Sequence, residues 1–320
     1  MIHDCTMQQF EKLLIFILAC LLYSLSGFFP SVKASEAVPG FGVNLSRSIG
    51  NHLFVSVRVN KRPAWFVVDT GAALSIVDSG KAKLLGLSRS NRIVKIPRQI
   101  EVNSRIVPVA FISNLQVGQN DLGSGPVALI DLREFRARLR GSRDRVSMDG
   151  IIGLDILQRY NAVIDCRNER IYLDTPGNNP RTIVNVARRK QYKSVPMRIT
   201  KSGILEIEGR IGRNQYSFIV DTGGFATLIR AQVALQNGVP VIGTTVRARG
   251  IHASENPVGV ALVPELDLGK NKLGSALVGV TGLPEGQDDL RHPFGGLLGA
   301  DFFFERNSII DVGNKTLYFK

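Results

Sequence analysis

Ala64-Trp65-Phe66-Val67-Val68-Asp69-Thr70-Gly71-Ala72 and, 152 positions later, Tyr216-Ser217-Phe218-Ile219-Val220-Asp221-Thr222-Gly223-Gly224 are two versions of one phrase. In each, an apolar, β-branched stretch stops at an acid, a hydroxyl and a glycine. A carboxylate that closes a buried strand is costly to place unless it is hydrogen-bonded, so its position points to chemistry. Its recurrence points to two carboxylates that meet.

The repetition extends outward from the phrase. Leu53–Val59 alternates apolar and polar residues as a half-buried strand does, and Arg62-Pro63 reads as the turn into the first acid-bearing strand. Leu74-Ser75-Ile76-Val77 reads as a strand, Ser79 to Leu85 as a short helix ended by Gly86, and further strands are expected at 92–96, 98–103, 105–113 and 126–130. In the second half, Ile204–Gly209 leads through a turn at Gly212-Arg213-Asn214 into the second acid-bearing strand. Ala231 to Gln236, closed by Gly238, matches the first short helix. Each half ends alike: Gly150-Ile151-Ile152-Gly153, then Asn161–Asp165 and Arg170–Leu173; Gly296-Leu297-Leu298-Gly299, then Asn307–Asp311 and Thr316–Phe319. The offset falls here to 146, so the first half carries about five extra residues, in its arginine-rich stretch. Two such units make a duplication rather than a solenoid. Many short strands with few helices make the class mainly β. The expected organisation is a leader over 1–34, a lobe over 35–174, a linker over 175–192 opened by Thr175-Pro176-Gly177-Asn178-Asn179-Pro180, and a lobe over 193–320.

Composition bounds the address and the partners. The 320 residues are 44% hydrophobic and 21% charged, enough to bury a large core. Leu13–Phe29 is an apolar run followed by Val32-Lys33-Ala34, which has the small-residue character of a signal-peptidase site. The run reads as a cleaved signal or, uncleaved, as a membrane tether; either way the rest of the chain is expected to be periplasmic or extracellular. Of three cysteines only Cys166 lies beyond this leader, so no internal disulfide is expected there. The net charge of +13 is concentrated in part at Arg133, Arg136, Arg138, Arg140, Arg143 and Arg145. With Phe135 the one aromatic within it and no nucleic-acid motif, this run reads as a solvated loop, and no nucleic-acid partner is expected.

Two carboxylates held about 3 Å apart cannot both ionise, so they share one proton and supply an acid and a base in one site. The base activates a water while the acid protonates a carbonyl oxygen, which hydrolyses an amide with no covalent intermediate, metal or cofactor. Gly71 and Gly223 let the backbone aim N–H donors at the carboxylates, and Thr70 and Thr222 place hydroxyls beneath them. The doubled Asp-Thr-Gly, each followed some 80 residues on by Ile151-Ile152-Gly153 or Leu297-Leu298-Gly299, resembles the aspartic proteases. Its Gly-Ile-Ile-Gly and Gly-Leu-Leu-Gly wording is closest to the retropepsin branch, here with both triplets in one polypeptide, as in single-chain bacterial members. The resemblance implies a two-lobed, pseudo-two-fold acid protease fold and an endopeptidase acting on a polypeptide substrate. It further implies Asp69 and Asp221 as catalytic residues, Thr70, Gly71, Thr222 and Gly223 as their supports, and a monomer. Flaps are expected at hairpins near 95–108 and 246–258. Ala72 matches retropepsins, whereas Gly224 matches neither branch, and no tyrosine between Leu87 and Leu115 takes the place of the pepsin flap tyrosine.

Bland and rival readings stand beside this one. A single Asp-Thr-Gly is usually a turn cap. Asp155, Asp301, Asp165 and Asp311 also recur between halves and read as caps and turn residues. Lone His252 and His292 lack metal-ligand spacing. Actin-like and sugar-kinase ATPases also carry an Asp-x-Gly loop in each duplicated half, but on strands alternating with long helices, which this sequence lacks. A catalytically silent peptide-binding protein on the same fold would have no physical need of all six triplet residues.

Overall fold

The computed structural model describes residues 41–88, 99–102, 105–250, 255–283 and 290–320. The leader reading, the strand expected at 92–96 and His252 lie outside the described residues. Among them no helix is long and apolar enough to cross a membrane.

Each half is built on the same hairpin. Leu53–Val59 pairs antiparallel with Arg62–Val68, and Leu205–Ile211 with Asn214–Val220. The first turn falls at Asn60-Lys61 rather than Arg62-Pro63, because a two-residue hairpin needs positive φ, which Asn60 (49°) and Lys61 (69°) adopt and Pro63 cannot. Pro63 instead sits within the strand, opposite Arg58. The apolar-Gly element then enters alongside: Gly150–Ile152 runs parallel to Arg62–Val68, and Phe294–Leu298 parallel to Asn214–Val220. Toward their acids, over Ala64–Val68 and Tyr216–Val220, these central strands are largely buried on both faces and mainly apolar, as parallel pairing favours.

The backbone repeats even where the side chains do not. Left-handed residues occur in register at Asn51 and Gly203, Gly86 and Gly238, Gly118 and Gly269, Asn161 and Asn307, and Glu169 and Lys315. The acids Asp165 and Asp311 fasten identical turns, each accepting from the backbone and side-chain amides of an asparagine three residues on, Asn168 and Asn314. The turn-residue reading of both is therefore correct.

One sheet belongs to both halves. It begins Val43–Asn44, Arg170–Tyr172, Val163–Asp165, Ile309–Asp311, Thr316–Phe319, Lys193–Ile199, and continues through Leu205–Ile211 into the rest of the second lobe. At its centre Ile164 faces Ile310, each with its duplicate, so the pseudo-two-fold axis passes between them. Both are fully buried within one core that draws from both lobes.

Three local expectations differ from the structure. Ser79 to Leu85 contains only a 3-10 turn at Ser79–Lys81, although Ala231–Gln236 is a full α-helix closed by Gly238 as expected. The stretch read as a linker contains the helix Arg181–Arg189, which buries Ile183, Val184 and Ala187. The arginine-rich run is a folded hairpin, Arg136–Arg138 against Arg145–Ser147, not an open loop. Among the described residues no helix exceeds these nine residues, so the long crossover helices of an actin-like ATPase are missing from them.

Truncating Ile310 at the axis removes methylenes that both halves share. Ile310→Ala should lower the unfolding free energy by about 2–5 kcal/mol, read by urea denaturation.

Candidate active site

The strands Arg62–Val68 and Asn214–Val220 deliver their acids to one point. Asp69 N–H donates to the Ile152 carbonyl and Asp221 N–H to the Leu298 carbonyl, each at 3.0 Å, so each apolar-Gly element fixes where its lobe's carboxylate leaves the strand. Beyond it, Leu154 N–H donates to Ala72 O at 2.7 Å and Ala300 N–H to Gly224 O at 2.8 Å. A second brace lies beneath. Asp155 accepts from the Ser75 hydroxyl and Asp301 from the Thr227 hydroxyl, and those hydroxyls accept from Gly153 and Gly299 N–H. The duplicated acids thus have a structural role, but as a brace from loop to loop rather than as the helix caps expected of Asp155 and Asp301.

The two loops grip each other through their threonines. Thr70 N–H donates to Thr222 Oγ1 and Thr222 N–H to Thr70 Oγ1, both at 3.0 Å. Each hydroxyl in turn donates across the lobe boundary, Thr70 to Val220 O at 2.6 Å and Thr222 to Val68 O at 2.8 Å. Both threonines are fully buried.

Above this grip the carboxylates face each other, each partly open to solvent. Asp69 Oδ1 accepts from Gly71 N–H at 2.8 Å; Asp221 Oδ1 accepts from Gly223 and Gly224 N–H, both at 2.9 Å. The glycines are required by the close approach of the lobes. A Cβ on Gly71 would stand 2.6 Å from the Asp221 carboxylate, and one on Gly223 would strike that of Asp69. All six residues singled out in the sequence are therefore brought together.

Burial raises the pKa of Asp69, opposed by the Gly71 N–H and by a hydrogen bond from Asp221. Asp221 is raised well above the ordinary carboxylate value by burial first, then by the Asp69 charge and by donating the shared proton. Both carboxyls are therefore shifted in the same direction, and the proton belongs to the pair.

Sequence reasoning missed His52. The segment before Leu53–Val59 crosses to the other lobe: Asn51 donates to Phe225 O at 3.5 Å, and the His52 imidazole lies against the Gly223 backbone within electrostatic reach of Asp69. Burial lowers its pKa, partly offset by Asp69 and Gly223. Nothing in the local sequence marks a lone histidine as reaching a site 171 residues away. The hairpins expected as flaps are Gln99–Val102 with Arg105–Ile112 and Ile242–Ala248 with Asn256–Leu268, their tips at 103–104 and 251–254 lying outside the described residues. Among the described residues no three His, Cys, Asp or Glu side chains gather as a metal would need.

The family model described as aspartyl protease matches residues 55–156 and again 206–302, together more than half of the chain, each match holding one Asp-Thr-Gly and one apolar-Gly element. A search of curated proteins found no match.

Two outcomes are expected. Thr222→Val should destabilise by about 1–3 kcal/mol for each group it orphans, while Thr222→Ser keeps most of that stability, both read by urea unfolding. Because both shifts are upward, the folded pair holds a proton that the unfolded chain releases above about pH 3.9. Its contribution to stability is complete below that value and is lost as pH rises through the raised native value. The stability of wild type relative to Asp221→Asn should therefore fall as pH rises above about 3.9; a flat difference would contradict the shift.

Proposed function

Since the chain belongs to the aspartyl protease family, we propose that it is a single-chain endopeptidase in which Asp69 and Asp221 hydrolyse peptide bonds. The observation that carries this reading is the pair of opposed carboxylates, one per lobe, sharing a proton above the threonine grip. A water between them gives a proton to Asp69 while its oxygen adds to the scissile carbonyl carbon, and Asp221 gives its proton to the carbonyl oxygen. The resulting gem-diol collapses when Asp69 passes its proton to the amide nitrogen and Asp221 takes one back from a hydroxyl. The C–N bond breaks, the acid and amine products leave, and the dyad returns to its starting protonation.

The fixed backbone supports the pair as a unit: Gly71 N–H faces Asp69, Gly223 and Gly224 N–H face Asp221, and one proton is held between the two carboxyls. The threonine grip keeps both groups in place without reorganisation during the reaction. The reading needs no cofactor and no second copy of the chain. The apolar run at 13–29 supports placing the enzyme outside the cytoplasm or tethered to the membrane.

Asp69→Asn and Asp221→Asn should each lower hydrolysis of an unfolded protein by about 10²–10⁴-fold while leaving the fold intact by circular dichroism. Folded variants that cleave as well as wild type would exclude the dyad. Binding of a statine-type inhibitor together with absent turnover would identify a silent peptide-binding protein instead.

A further inference from the structure

The arginine hairpin that distinguishes the first lobe is linked to the dyad's loops through His52. It is anchored to the segment that carries His52: Ile49 N–H donates to Arg138 O and Arg140 N–H to Arg47 O, both at 2.9 Å, while the Arg140 side chain reaches Asn51. Its other end meets the second lobe's flap hairpin, where Arg249 pairs with Glu134 at 2.7 Å and lies 5.8 Å over the Phe135 ring. Between these anchors opens a cavity of about 550 Å³, within the size range of ligand pockets. His52, which touches the active-site loop of the other lobe, forms part of its wall, and the half-buried Met148 gives it an apolar floor.

The charge of this cavity is one-sided. Arg136, Arg138, Arg143 and Arg145 line it, and none of the four has an ion-pair partner among the described residues. The one acid in the lining, Glu134, is already engaged by Arg249. Register places Arg138 directly opposite Arg145, with Arg136 two residues along on the same face. Like charges opposed across a hairpin oppose its formation, so this arrangement costs the hairpin stability until an anion arrives. We propose that the cavity is a specificity subsite for an acidic segment of the polypeptide substrate, so that chains carrying Asp or Glu near the scissile bond are preferred. The proposal rests on the protease reading for the scissile bond, but the binding it predicts does not depend on turnover. An apolar floor suits the methylenes of glutamate, and the guanidinium rim suits its carboxylate. A nucleic acid fits less well, because Phe54 is fully buried and Phe135 is already covered by Arg249, which leaves no aromatic platform for bases.

The test uses the full chain carrying Asp69→Asn and a fluorescent decapeptide rich in glutamate, compared with its Glu→Gln twin. The acidic peptide should bind about tenfold more tightly at low salt, the gap closing toward about 0.5 M salt. It should also close in Arg136→Gln/Arg138→Gln/Arg145→Gln but not in Arg213→Gln, a distant exposed arginine. Should the triple exchange unfold the hairpin, single Arg145→Gln is expected to narrow the gap on its own. Equal binding of the twins, a gap that survives the exchanges, or tighter arginine-dependent binding of a single-stranded oligonucleotide of equal charge would each overturn the proposal. Cleavage of both twins at equal rates by the wild-type chain would overturn the subsite and leave the protease reading standing. Arginine-dependent binding of the acidic peptide with no cleavage of either twin would keep the subsite and remove the protease reading.

Discussion

The candidate active site hangs on four hydrogen bonds between two buried threonines and the strands they belong to. Each threonine uses its own N–H and its hydroxyl on the opposite lobe, so neither half completes its polar bonding alone. Because the carboxylates leave the chain one residue earlier, the grip sets their separation more tightly than lobe packing alone could. It also makes their desolvation unavoidable. The proton shared by Asp69 and Asp221 follows from that enforced closeness, since the pair cannot relax apart to ionise fully.

The same logic recurs at three depths. At the surface, glycines at 71 and 223 make room for the facing carboxylates. Just below, Asp155 and Asp301 hold Ser75 and Thr227, which hold the apolar-Gly elements. At the base, the shared sheet closes around Ile164 and Ile310. Rigidity is passed upward from an apolar centre to a polar site through buried, fully partnered groups, which is how a low-dielectric site can hold charge in a fixed geometry.

Much of this was legible in the sequence because duplication is informative twice. The triplets, the apolar-Gly elements, the acid-bearing hairpins and the helix Ala231–Gln236 all come from residues that recur in the same order in the two halves. What was misread depended on contacts between distant segments or on competing local signals. Pro63 drew the turn toward itself, although Asn60 and Lys61 tolerate the left-handed backbone. Thr175–Pro180 obscured a helix whose apolar residues, Ile183, Val184 and Ala187, do follow helical spacing. His52 and the arginine hairpin belong to the first half alone, so repetition gave no clue to them. Their meaning comes from what they touch across the lobe boundary.

The position of the pseudo-two-fold axis has a consequence for how the molecule is made. When synthesis has reached the end of the first lobe, Val163–Asp165 is the inner edge of a half-sheet, and its proper neighbour, Ile309–Asp311, is still 146 residues away. That edge was shaped by duplication to pair with a near copy of itself. Another nascent first lobe offers the same strand in the same register, so two unfinished chains can close the sheet between them. The second lobe must win this competition by being tethered to the first, which raises its local concentration over any free rival. Fusing the halves into one chain thus does for assembly what it also does for the dyad: it gives each strand one partner that is always at hand.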